Sequence, residues 1–129
     1  MREKQTQNAS ISYDVGVGTP RFRPVEAFSS PRQFGRVVDA AAGERVGMTQ
    51  TQVAWAMFQH RAACAVREEL AARGMTVGEL AAEVCEGESW LRRKLHGQVP
   101  ADLGDVLGWA LVLGVHVLPV IDDLRELSA

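Results

Sequence analysis

Apolar side chains recur through the middle of this chain at the spacing of an α-helix. Val53, Ala56, Met57, His60, Ala63, Cys64, Val66 and Leu70 follow one another at helical intervals, which places them on one face of a single helix. Thr49 and Gln52 form a capping-box pattern ahead of this run and Arg73-Gly74 closes it, so one helix of about 24 residues is expected. Thr76 and Glu79 repeat the start signal, and Leu80, Ala81 and Val84 give the next helix a short apolar face. Cys85-Glu86-Gly87 interrupts it after about two turns. A second short helix is expected from Glu88 to His96, carrying Trp90, Leu91 and Leu95 and stopped by Gly97.

Past the Gln98-Val99-Pro100 link, Asp102 caps a helix whose Leu103, Val106, Leu107, Ala110 and Leu111 form the stripe of a packed face, ending at Gly114. Pro119 opens a last expected helix through Leu127, with Val120, Ile121 and Leu124 on its apolar side. Upstream, Ser30 and Pro31 make a helix start, and Phe34, Val37, Val38 and Ala41 then fall on one side until Gly43. Residues 1–29 are polar at first and then punctuated by Gly16, Gly18, Pro20 and Pro24, the pattern of a flexible tail. Strand-like alternation is nearly absent. The expected fold is therefore all-α: a compact bundle of about five short helices, with an N-terminal tail (1–29), a helical extension (30–60) and a main domain (61–129).

Two short helices joined by a turn of three or four residues form a helix-turn-helix unit, whose second helix can enter the major groove of DNA. Gly74-Met75-Thr76, Glu79-Leu80-Ala81, Val84, Leu91, Arg93 and Leu95-His96-Gly97 together resemble the Cro/phage-repressor (lambda-repressor-like) class of this motif. The resemblance extends from about Ala62 to Leu124, with VREELAARG as the first helix and LGDVLGWALVLGV as the fourth. It implies a sequence-specific regulator of transcription, of the repressor kind, bound to double-stranded DNA as a homodimer. Carried over position by position, it implies that Glu88, Ser89 and Arg93 read base edges; Arg92 and Lys94, which flank the expected buried side of the helix, are expected to hold phosphates. Trp90 and His96 lie on the same helix, while Thr76 and Val77 open the first motif helix. Two positions depart from the family: Val77 stands where glutamine is common, and Gly87 where serine caps the second helix.

Charge complicates this picture. The chain carries net −2, and the basic residues are unevenly spread: residues 1–46 hold seven basic and five acidic side chains, residues 47–129 seven and eleven. The motif half is thus acidic, and weak non-specific DNA binding is expected. The alternative reading is a protein-interaction module, such as an antitoxin or a phage or plasmid accessory factor, that keeps the fold while its acidic surface meets another protein. Arg21-Phe22-Arg23 suits either a basic arm or plain tail. Gly16-Val17-Gly18 is not a dinucleotide fingerprint, since Arg21 occupies the third glycine position.

His60, His96 and His116, with Cys64 and Cys85, lack zinc-ligand spacing, so no catalytic residue, cofactor or metal is expected. The apolar run from Val106 to Ile121 is broken by Gly108, Gly114, His116 and Pro119 and falls short of a membrane span. With a polar N-terminus and two isolated cysteines, the chain is expected to be cytoplasmic, with no membrane partner.

Overall fold

The computed structural model describes residues 22–43 and 47–119. Four α-helices are present among them: α1 (Gln50–Arg73), α2 (Val77–Glu83), α3 (Glu88–Leu95) and α4 (Leu103–Leu113), with single 3-10 turns at Pro24–Ala27, Pro31–Gln33 and Val115–Val117. No described residue is in a strand. The class is all-α, and the helix expected from Pro119 to Leu127 lies outside the described residues.

α1, α2 and α4 each begin where a side chain can replace the missing backbone partner. Thr49 Oγ1 accepts from Gln52 N–H at 3.1 Å while Gln52 Oε1 accepts from Thr49 N–H at 2.9 Å. Thr76 with Glu79 and Asp102 with Asp105 form the same reciprocal pair at the starts of α2 and α4. α1 closes with Gly74 in the left-handed region and Met75 N–H bonded to Leu70 O at 2.9 Å, which satisfies the last carbonyls.

α1 is the axle of the fold. All eight of its expected face residues are buried, together with Gln59 and Ala62. Gln59 makes three bonds in the interior: its Nε2 donates to Lys94 O (2.8 Å) and Val99 O (3.0 Å), and its Oε1 accepts from Ala101 N–H (2.7 Å). These pin the α3–α4 link to α1 and leave no buried amide group wanting. At the other end of α4, Arg73 donates to Val112 O (3.3 Å) and Leu113 O (2.7 Å), placing a cation on the negative end of that helix. Glu69 holds Arg73 (2.6 Å) and His116 (2.8 Å) in place, and Arg73 first and His116 second keep its carboxyl below the ordinary range.

Three expectations are corrected. The helix expected from Ser30 to Gly43 stops after one turn: Ser30 does cap it, but Phe34 is extended and Gly35 sits at φ 72°. The backbone of Gly35 is taken by α1 instead, its N–H donating to His60 Nδ1 (2.9 Å) and its carbonyl accepting from Arg67 Nε (3.0 Å). Phe34 is buried while Val37 and Val38 are exposed, so the four apolar positions do not share a face.

The second correction concerns boundaries. The stretch 22–29, assigned to the tail, packs into the core through Val25, Ala27 and Phe28, and α1 runs straight through the expected division at residues 60 and 61. One core joins residues from Val25 to Val117. The third concerns α4, which is turned about its axis relative to the expected stripe. Val106 and Ala110 are buried with Trp109 and Leu113, but Leu103, Leu107 and Leu111 face outward, Leu111 at 88% exposure.

Residues 22–43 thus form a strap across α1 and the end of α3. Phe28 and Phe34 meet edge to face at 5.4 Å and both pack on the His60 ring. A Cβ on Gly35 would come within 2.7 Å of Leu95 O, and one on Gly97 within 2.9 Å of the Phe34 ring, so two glycines permit the close seating of strap on helix. Val25 N–H completes the junction by donating to Gly97 O at 2.9 Å.

Candidate nucleic-acid interface

α2 and α3 pack on each other across a turn over residues 84–87, and the turn is closed by Cys85 at φ 58° with Glu86 N–H bonded to Ala81 O (2.9 Å). Leu80, Ala81, Leu91 and Leu95 bury the inner sides of the pair. Gly78 leaves room for the Glu88 side chain, whose Oε1 lies 2.7 Å from where a Cβ would stand. α3 starts at Gly87 with no side-chain cap, and it carries Glu88 in its first turn and Arg92, Arg93 and Lys94 in its last. Both signs suit the helix dipole.

With Leu91 and Leu95 turned inward, the outer face of α3 consists of Glu88, Ser89, Trp90, Arg92 and Arg93, and half-buried His96 follows at its end. Glu88 pairs with Arg92 at 2.7 Å, both about half exposed, a surface pair that contributes little to stability. The guanidinium of Arg93 lies 5.2 Å above the Trp90 ring, and Trp90 is 42% exposed, so this indole sits on the surface rather than in the core. Thr76 is exposed but its hydroxyl is committed to the α2 cap, and Val77 is half-buried against the core.

Lys94 departs from its expected place on the DNA-facing surface. It is 5% exposed, bonded to Asp105 at 2.8 Å and to Glu86. Burial disfavours its charge, but Asp105 and Glu86 outweigh that and hold the ammonium above its ordinary pKa. It ties the α2–α3 turn to α4 and has no side to offer a phosphate.

The opposite flank of α3 contains basic residues that inspection of the motif did not reveal. The strap lays Arg36 beside His96 and sets Arg32 in the same cleft, and α1 contributes Arg67. His96 is held below its ordinary pKa by burial first and then by Arg67, Arg36 and Arg92; Arg67 is likewise lowered by burial, Arg36 and Arg92. Among the described residues no carboxylate lies within ion-pair distance of Arg32, Arg36, Arg67 or Arg93. The sole sequence sign of this flank was the basic balance of residues 1–46.

No family model, no curated protein and no solved structure matches this chain. Cys64 Sγ lies 3.8 Å from both ring nitrogens of buried His60, but burial pushes the thiol up to about 11 and the imidazole down, the reverse of an activated pair. Among the described residues no cluster of metal-binding side chains occurs, and no helix is long and apolar enough to cross a membrane.

A second surface feature lies away from α3. Trp55, Phe58, Leu103, Leu107 and Leu118 line an apolar groove of about 700 Å³ between α1 and α4, with Leu111 and Val115 exposed beyond it.

Proposed function

We propose that this protein is a sequence-specific regulator that binds double-stranded DNA, with α2, the intervening turn and α3 acting as a helix-turn-helix unit whose second helix lies in the major groove. The observation that carries this reading is the sorting of charge around α3. Glu86 and Asp105 are taken up by Lys94 and Glu88 by Arg92, while Arg93, the Arg32 and Arg36 of the strap and the Arg67 of α1 have no carboxylate within ion-pair distance among the described residues. A chain of net charge −2 thereby presents a positive face, which is what a phosphate backbone selects. In this arrangement Ser89 and Arg93 meet base edges, Arg93 contributing roughly 1–3 kcal/mol of discrimination at a guanine. Arg92 and His96 lie toward the backbone and fix the register. Glu88 accepts from a cytosine amino group or remains with Arg92.

A helix as short as α3 reads few base pairs, so a two-fold dimer on paired half-sites suits it, and we assign the dimer contact to α4. The run from Leu107 to Val115 carries no charged side chain, so two copies meet there without like-charge repulsion, as a self-complementary contact requires. The same apolar face favours a second reading, a protein-interaction module that retains this fold for another partner.

Selection of bound fragments from mixed genomic DNA, followed by sequencing, separates the two. A pseudo-symmetric site that is enriched by the wild type and blurred by Arg93→Ala supports the regulator, with Arg92→Gln weakening all sequences alike. Absence of binding at low salt, or equal losses on cognate and scrambled DNA for both variants, removes the assigned reading roles.

A further inference from the structure

The strap is an ordered piece of chain that holds basic side chains against the end of α3. Arg32 and Arg36 line a cleft of about 590 Å³ with Arg23, His96, Gln98 and the rings of Phe28 and Phe34. Glu26 at its edge is tied to Arg23 at 3.2 Å and Glu88 is tied to Arg92, which leaves Arg32, Arg36 and Arg67 without a carboxylate among the described residues. Arg67 is fixed by its bond to Gly35 O, and the adjoining Gly35 N–H is fixed by His60, so the strap cannot swing Arg36 away without breaking buried bonds. Crowded like charges repel one another, and the fold holds them together all the same. A compact, multiply charged oxyanion removes that repulsion, and a phosphate forked by arginines is the strongest such partner.

We propose that Arg32, Arg36, Arg67, Arg92 and His96 form a seat for a phosphate group, built jointly by the strap, α1 and α3. The occupant that rests on the DNA-binding reading is a backbone phosphate flanking the groove entered by α3; the other source of the same chemistry is a free phosphate or nucleotide. His96 responds in either case, because a phosphate beside it offsets the repulsion of Arg67 on α1, Arg36 on the strap and Arg92 on α3. Protonation of His96 is thus coupled to occupancy.

The test uses the full chain and Arg36→Gln and Arg32→Gln/Arg36→Gln variants, whose exposed side chains bear none of the bonds that hold the strap. Unchanged melting establishes that they fold. In the first arm, salt titration of binding to duplex DNA is expected to lose about 0.9 of log–log slope for each phosphate contact removed, equally on cognate and scrambled sequence. In the second, the imidazole resonance of His96 is titrated with pH in the presence of inorganic phosphate and of a nucleoside monophosphate. A slope loss in the first arm identifies backbone phosphate. An unchanged slope, with a His96 pKa raised by phosphate in the wild type and not in Arg36→Gln, identifies the free ion or nucleotide. No change in either arm overturns the seat. Failure of the wild type to bind duplex at low salt overturns the DNA reading alone, and the His96 titration still decides the seat.

Discussion

Two neighbouring cations on α3 meet opposite fates. Lys94 is sunk between Glu86 and Asp105, so its charge is matched within the fold, whereas Arg93 lies over the exposed Trp90 ring with no carboxylate within ion-pair distance among the described residues. Side chains adjacent in sequence thus belong to different economies: a matched, buried charge locks α2, α3 and α4 together, and an unmatched group invites a partner from outside. A basic run in a sequence is therefore not one interface, because the helix turns its members toward different neighbours.

The largest effect is expected on the matched flank. Lys94→Met leaves two carboxylates facing each other; removal of one member of a buried pair costs ~3–5 kcal/mol, and because Glu86 and Asp105 retain some contact with water the expected loss is about 2–3 kcal/mol in urea unfolding. Neutralising all three, as Lys94→Met with Glu86→Gln and Asp105→Asn, is expected to recover most of it. A loss below about 0.5 kcal/mol for the single change would mean that Lys94 is no more than a surface cation.

On the open flank the expected effect is on binding. Burial and the neighbouring arginines hold the His96 pKa low and a phosphate beside it raises it, so the complex takes up a proton and affinity rises as the pH falls toward the value of the free protein. His96→Gln is expected to flatten that profile. Stability of the free protein moves the other way. His60 and His96 both have lowered folded pKa values, so the unfolded chain protonates first; stability is full above about pH 6.5 and is lost as the pH falls toward and through the folded values. Thermal melts and binding isotherms over the same range should therefore diverge in direction.

The smallest effect concerns the turn that sets α3 against α2. Cys85 adopts φ 58°, a conformation that costs a side-chain-bearing residue roughly 1–2 kcal/mol. Cys85→Gly relieves it while adding freedom to the unfolded chain, for an expected net gain of about 0.5 kcal/mol measured by denaturation. A loss instead would show that the Cys85 side chain has a role of its own.

The helices were legible in the sequence wherever their ends were encoded locally. Thr49 with Gln52, Thr76 with Glu79, and Asp102 mark starts through bonds to residues three positions away, and Gly74 and Gly97 mark stops, so α1 to α4 fall where the pattern puts them. The strap was not legible. Its conformation depends on His60 and Arg67, 25 and 32 positions from Gly35, and the helical spacing of Phe34, Val37 and Val38 carried no record of that. Lys94 was misplaced for the same reason, since its partners lie eight and eleven positions away. On α4 the period was right and the phase wrong: apolar side chains lie on nearly every side of this helix, broken by Gly104, Asp105 and Gly108, so periodicity alone did not tell which side Trp109 would bury.

The most direct measurement is an NMR titration of the full chain with duplex DNA, following the arginine Nε–H, lysine and histidine side-chain resonances together. Shifts at Arg36, Arg92, Arg93 and His96 with Lys94 and the α4 amides unmoved are the expected result. Shifts centred on Lys94 or on the Leu103–Leu107–Leu111 face, with the open flank silent, would contradict it.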